Sequence, residues 1–216
     1  MRARKYMVNY DLTHLTQAPD QRVYGPIQDD EALFLYSIIR GARMRTILEF
    51  GGLSGYSARN FIAALAYDDM TEKYVYTCEL SPMEPVAPNH RIIQKHAAEI
   101  SRADFCAAAA AAAHLDMVFF DCHDFSQMTA YDRLLAEGVI TQNTVLALHD
   151  TNLHYFPYQT TTLYYPEKRG FVHERVEYSM VEMFRERGYN IFQIRTDESR
   201  HHDGFPFRHG ITICQK

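Results

Sequence analysis

The chain has no tryptophan, and its four cysteines (Cys78, Cys106, Cys122, Cys214) are scattered without a Cys-x-x-Cys pair. That spacing argues against a structural zinc site and against a disulfide framework, and it suits a reducing compartment. No apolar run approaches the roughly 20 residues a membrane-spanning helix needs. The start, MRARKYMVNYDLTHL, lacks the apolar block of a secretory signal. No internal repeat and no Gly/Ser- or Pro-rich linker divides the 216 residues, a length suited to one ordinary domain. Net charge is −5 with acids and bases interspersed, which disfavours a phosphate-backbone binder. These absences leave the expectation of a cytoplasmic, soluble protein that binds neither nucleic acid nor membrane.

What is present is an alternation of short apolar runs with amphipathic stretches. GPIQDDEALFLYSIIRG reads as a helix, with Asp29, Asp30 and Glu31 in its first turn and Gly41 just past its end. That charge order complements a helix dipole. RTILEF, YVYTCEL, RIIQK, LDMVFFD and NTVLALHD read as five strands, and LDMVFFD is apolar on successive residues, as in a strand covered on both faces. YSARNFIAALAY, FSQMTAYDRLLAEG and ERVEYSMVEMFRERG have helical spacing, and EISRADFCAAAAAAAH reads as a helix on alanine propensity. In the last of the spaced helices Met180 and Met183 are expected in the core, and Arg185 to Arg187 on the solvated side. YNIFQIRT and HGITICQK close the chain around a polar segment in which His201 to Asp203 is read as a hairpin tip rather than a metal site. Strands alternating with helices predict a single α/β domain, a doubly wound parallel sheet with helices on both faces.

Ligands of such sheets bind beyond the carboxyl ends of the strands. Four predicted strands end in ionisable residues: Glu49, Glu79, Asp121, and the pair His149 and Asp150. Packing gives a core strand little reason to end in an acid, so these residues mark a ligand rim. The first strand runs into EFGGLSGYSA, an acid followed by three glycines within five positions. Glycines allow a sharp turn and close approach of backbone to ligand, and the following helix presents free N–H groups. Phe50 occupies the first glycine position of the dinucleotide fingerprint G-x-G-x-x-G, so an adenosine ligand without a pyrophosphate is favoured over a dinucleotide.

In this order, ILEFGGLSGYSA, VYTCEL, LDMVFFDCHD and NTVLALHDTN resemble the class I S-adenosylmethionine-dependent methyltransferases. The nearest branch is the small catechol-type and sugar- or antibiotic-modifying O-methyltransferases. The resemblance covers residues 25–216 and leaves 1–24 as an N-terminal extension. It implies a Rossmann-like sheet of about seven mostly parallel strands with an antiparallel last strand. It also implies that Glu49, Gly51, Gly52, Gly55, Tyr56 and Ser57 hold the methionine end of the cofactor. Glu79 would hold the ribose hydroxyls, and Ala97, Ala98 and Glu99 would line the adenine.

At the reacting end, the branch binds magnesium through acids after the fourth and fifth strands. Asp121 and Asp150 stand there, with Thr151 where the branch has its third ligand and Asn152 one residue late. The branch's catalytic lysine is replaced by Asp124. The expected metal set is therefore Asp121, Asp150 and Asn152. His123 is favoured as general base, His149 is the second candidate, and Asp121 completes the catalytic set. For His149, local hydrogen bonding at a strand end is an equally good reading. The aromatic, polar stretch HDTNLHYFPYQTTTLYYPEKRGF after the fifth strand is expected to be a loop over a hydroxyl-bearing acceptor, or to pack on the preceding helix or on the partner of a homodimer. The leading functional expectation is methyl transfer from S-adenosylmethionine to a hydroxyl oxygen. The alternative is a non-catalytic accessory protein that binds the same cofactor.

Overall fold

The computed structural model describes residues 27, 29–67, 72–105, 114–151, 161–165, 170–174, 176–194 and 210–216, with backbone alone at 29–30, 161–165 and 170–174. The expected boundary at residues 24 and 25, the alanine run, Asn152, most of the aromatic loop and the His201 to Asp203 turn lie outside these.

Helix α1 spans Asp29–Gly41 and leads into strand β1, Thr46–Phe50. Helix α2, Tyr56–Leu65, precedes β2, Tyr74–Cys78, and β3, His90–Ile93. Strand β4, Met117–Phe120, is followed by helix α3, Ser126–Ala136, and β5, Val145–Leu148. A two-stranded hairpin, β6 (Thr161–Tyr165) and β7 (Gly170–Glu174), precedes helix α4, Val176–Glu186. Strands β8, Asn190–Ile194, and β9, Ile211–Gln215, complete the main sheet.

Seven strands form that sheet in the order β3-β2-β1-β4-β5-β9-β8. Strands β1 to β5 are parallel, and β9 runs antiparallel to both β5 and β8. This is the expected doubly wound sheet with a reversed last strand. Side chains alternate across it with period two and build two cores. Ile47, Val75, Met117, Phe119 and Ala147 pack on α1 and α2. Leu48, Tyr76, Val118, Phe120 and Leu148 pack on α3 and α4, where Phe184 meets Phe120, Tyr131 and Tyr189. Met180 is buried and Met183 packs against the same core, while Arg185 to Arg187 are exposed.

Two local readings change. The segment after β3 is not a continuous helix over its described residues. It makes two short 3-10 turns, Ala97–Glu99 and Arg102–Asp104, separated by extended Ile100 and Ser101. Ser101 and Asp104 cap the second turn reciprocally, and this local bonding outcompetes helix continuation. The aromatic segment after β5 is not loop throughout, because Thr161 to Tyr165 pair with Gly170 to Glu174. The β-branched and aromatic side chains of TTLYY explain the strand.

Candidate active site

The order of strands reverses between β1 and β4, so their carboxyl ends diverge and open a crevice. Gly51 and Asp121 face each other across it. A Cβ on Gly51 would lie 2.5 Å from the Asp121 carbonyl oxygen, and Gly51 has φ +87°. Only glycine satisfies both conditions. Gly55, at φ +71°, caps α2, and a Cβ on Gly52 would collide with Thr77.

A cavity of about 540 Å3 occupies this crevice. Of the residues expected to bind cofactor or act in catalysis, Gly51, Gly52, Tyr56, Ser57, Glu79, Ala97, Asp121 and His123 line it. Glu49, Gly55, Ala98 and Glu99 do not line it. Lys95, His96 and Asp124 line it as well, and sequence reading assigned the first two no role.

Glu49 is fully buried and accepts hydrogen bonds from Ser57 Oγ and from Thr77 Oγ1, the latter at 2.7 Å. Burial pushes its carboxyl up to about 7. Behind Thr77 stands His90. Its Nδ1 accepts from the Val86 N–H at 3.1 Å, so Nε2 carries the proton toward Thr77 Oγ1, 2.7 Å away. Burial lowers His90 to about 4 and keeps it neutral. Glu79 accepts from the N–H groups of Gly52 (3.0 Å), Leu53 (3.3 Å) and Ser81 (3.0 Å). Burial opposes its charge, but these backbone donors prevail and hold the carboxyl below its ordinary value. The β2 acid thus clamps the glycine turn of β1.

The far side of the crevice is denser in charge. His149, 1% exposed, places Nδ1 3.0 Å from Asp121 Oδ1 and Nε2 3.3 Å from Glu31 Oε2. Glu31 is also buried and accepts from the Gly210 N–H at 2.8 Å. Burial works against charge on His149, but Asp150, Asp121 and Glu31 outweigh it and hold its pKa well above the ordinary range. Burial pushes Asp121 upward against the pull of His149. We read the pair as imidazolium and carboxylate, because both ring nitrogens meet carboxylate oxygens. This geometry favours the local, structural reading of His149 over a basic one.

His123 sits nearer the opening, with its side chain 46% exposed. Its Nε2 lies 3.3 Å from Asp150 Oδ2 and its Nδ1 3.1 Å from Glu177 Oε2. Burial disfavours its charge, but Glu177, then Asp150 and Asp121, raise it to about 9. Loss of that proton is required before His123 can act as a base. Both His123 (φ +54°) and Asp150 (φ +55°) hold left-handed backbone, a strain that concentrates at functional sites. Asp121, His123 and Asp150 each offer a ligand atom, all within 4.8 Å of one another. That donor set fits a divalent cation. Thr151 accepts from Thr212 at 2.8 Å, and Asn152 lies outside the described residues.

Sequence reading missed four buried partners: Glu31, Glu177, Thr77 and His90. For the two acids a signal existed. Glu31 falls on the stripe of Leu35 and Ile39, and Glu177 on that of Met180, Val181 and Phe184. An acid on an apolar stripe is a buried acid awaiting a partner.

No family model matches the chain, and no curated protein matches it. Solved structures do. The O-methyltransferase TomG from Streptomyces achromogenes, in complex with S-adenosylmethionine, is 18% identical over 97% of this chain and 92% of its own, with a TM-score of 0.58. An S-adenosylhomocysteine-bound methyltransferase of Podospora anserina is 15% identical over 94% and 86%, at 0.57. An O-methyltransferase from Bacillus cereus with S-adenosylhomocysteine is 15% identical over 98% and 94%, at 0.53. At these identities the likeness establishes the fold: this chain folds as the class I S-adenosylmethionine-dependent O-methyltransferases do.

Proposed function

We propose that the protein transfers the methyl group of S-adenosylmethionine to a hydroxyl oxygen of a small molecule. The carrying observation is convergence: the β1 glycine turn, Glu79, Asp121 and His123 line one cavity at the switch point of the sheet. Its volume falls within the roughly 300–1,000 Å3 usual for small-molecule sites. The cofactors bound to solved relatives of the same fold support the reading.

In this reading Glu49, through Ser57, supplies negative charge behind the turn for the methionine ammonium, and Glu79 accepts from the ribose hydroxyls. The acceptor hydroxyl lies against the Asp121–His123 wall, opposite the sulfonium. The acceptor oxygen attacks the methyl carbon, the carbon–sulfur bond breaks, and S-adenosylhomocysteine leaves. The hydroxyl proton passes to a group on that wall. A divalent ion held by Asp121 and Asp150 would lower the hydroxyl's pKa when bound. Leu53 and Leu80, both exposed and both at the cavity wall, give its mouth an apolar edge.

Calorimetry with S-adenosylmethionine and S-adenosylhomocysteine, followed by an assay of S-adenosylhomocysteine formation with diols, phenols and sugars, tests the proposal. Turnover on any of these supports transfer. Tight binding without turnover across a broad panel favours the accessory role instead. Asp121→Asn is expected to lower turnover more than cofactor affinity, and equal loss of both would make Asp121 structural.

A further inference from the structure

His123 is held from both sides. Its Nδ1 lies 3.1 Å from Glu177 Oε2, which makes Nδ1 the proton donor to that carboxylate and turns Nε2 toward the aspartates. Glu177 is itself fixed: its Oε1 accepts from the His123 backbone N–H at 2.8 Å and from Gln127 Nε2 at 2.8 Å, and its side chain is 4% exposed. Metal-ligating histidines almost always donate their second ring nitrogen to such an acceptor, which sets tautomer and ring plane. A carboxylate on the core face of α4, beside Val176, Met180 and Val181, is costly to bury and calls for a purpose of this kind.

The ligand atoms agree. His123 Nε2 and Asp150 Oδ2 are 3.3 Å apart, close to the roughly 3 Å separating adjacent ligands that each lie about 2.1 Å from one ion. Asp121 brings a second carboxylate oxygen within 4.8 Å of both. We propose that Asp121, His123 and Asp150 form a mixed nitrogen–oxygen site for a first-row transition divalent ion, with Glu177 as the positioning residue of the histidine ligand.

Magnesium prefers oxygen donors throughout, whereas an imidazole in the ligand set moves preference toward manganese, iron, cobalt or zinc. His123 then gives its lone pair to the ion, and its function is not that of a free base. What the ion would do rests on the methyl-transfer reading, but its binding is tested without turnover.

The tag-free, chelator-treated full chain is titrated with Mg2+, Mn2+ and Co2+ by calorimetry. One Co2+ per chain is expected to bind about 100-fold or more tighter than Mg2+, with Mn2+ between them. Spin-echo modulation of the Mn2+ complex should show a directly bound 14N that His123→Gln abolishes. Glu177→Gln should retain that nitrogen signal while weakening Co2+ binding about 10- to 100-fold. If Glu177→Gln folds poorly by circular dichroism, the His123→Gln comparison decides. Equal affinity for Mg2+ and Co2+, no divalent binding below about 1 mM, or a nitrogen signal surviving in His123→Gln overturns the assignment. Cofactor titrations on the same preparations separate the two readings, since cofactor binding without metal binding removes only the ion.

Discussion

Glu49 combines complete burial with two hydroxyl donors and, among the described residues, no cation beside it. Donor directions leave little freedom. Val86 fixes His90 as the Nε2–H tautomer, His90 donates to Thr77, and Thr77 must then donate to Glu49. Because the carboxyl is raised from 4.5 to about 7, the native state binds its proton more tightly than the unfolded chain does. Its stabilising contribution is complete below about 4.5 and disappears as pH rises through about 7. Between pH 4.5 and 8 the wild type should lose up to about 3 kcal/mol relative to Glu49→Gln, read from urea unfolding at each pH. Parallel pH profiles for the two proteins would contradict the buried, uncompensated acid. At Glu79, replacement by Ala should weaken S-adenosylmethionine binding by about 2–3 kcal/mol, since the ribose hydroxyls lose a charged acceptor. Calorimetric affinity equal to wild type would remove Glu79 from the site.

Among the elements, the β1–α2 turn carries the most demanding geometry. Gly51 is left-handed and packs against the Asp121 backbone, so Gly51→Ala combines a strained φ with a collision of the new Cβ with the Asp121 main chain. A loss on the order of 1–3 kcal/mol in unfolding free energy is expected, together with weaker cofactor binding. An unchanged denaturation midpoint would mean that β1 and β4 can separate freely. Helices α1 and α4 show why element type is easier to read than element role. Their apolar stripes were legible, yet Glu31 read as a dipole-favoured first-turn acid when its carboxylate in fact meets His149 across the sheet end. Nothing local in the sequence distinguishes those two fates. The 3-10 turns after β3 were misread for a related reason. Alanine propensity is a weak prior, and the Ser101–Asp104 cap is local chemistry that overrides it.

For the whole molecule, the cavity lies where two halves of the sheet part, with lining groups drawn from the carboxyl ends of β1, β2, β3 and β4. A ligand spanning these elements ties them together and stabilises the native state as one unit. Saturation with S-adenosylhomocysteine at about 100 times its Kd should add about 2.7 kcal/mol. At roughly 2–4 °C per kcal/mol for a chain of this size, the thermal midpoint should rise by about 5–10 °C. No shift at saturating concentration would refute binding of that cofactor.

The sequence alone determined the alternation of strands and helices, the acids at the strand ends and the glycine turn. Each of these follows from periodicity or from backbone sterics acting over a few residues. Tertiary structure alone decided which charges meet. Glu31 with His149 spans 118 positions, and Glu177 with His123 spans 54. The energy of a buried ion depends on partners that only the folded sheet brings within about 3 Å. A run of letters records that a charge exists, and the fold supplies the distance that gives it a function.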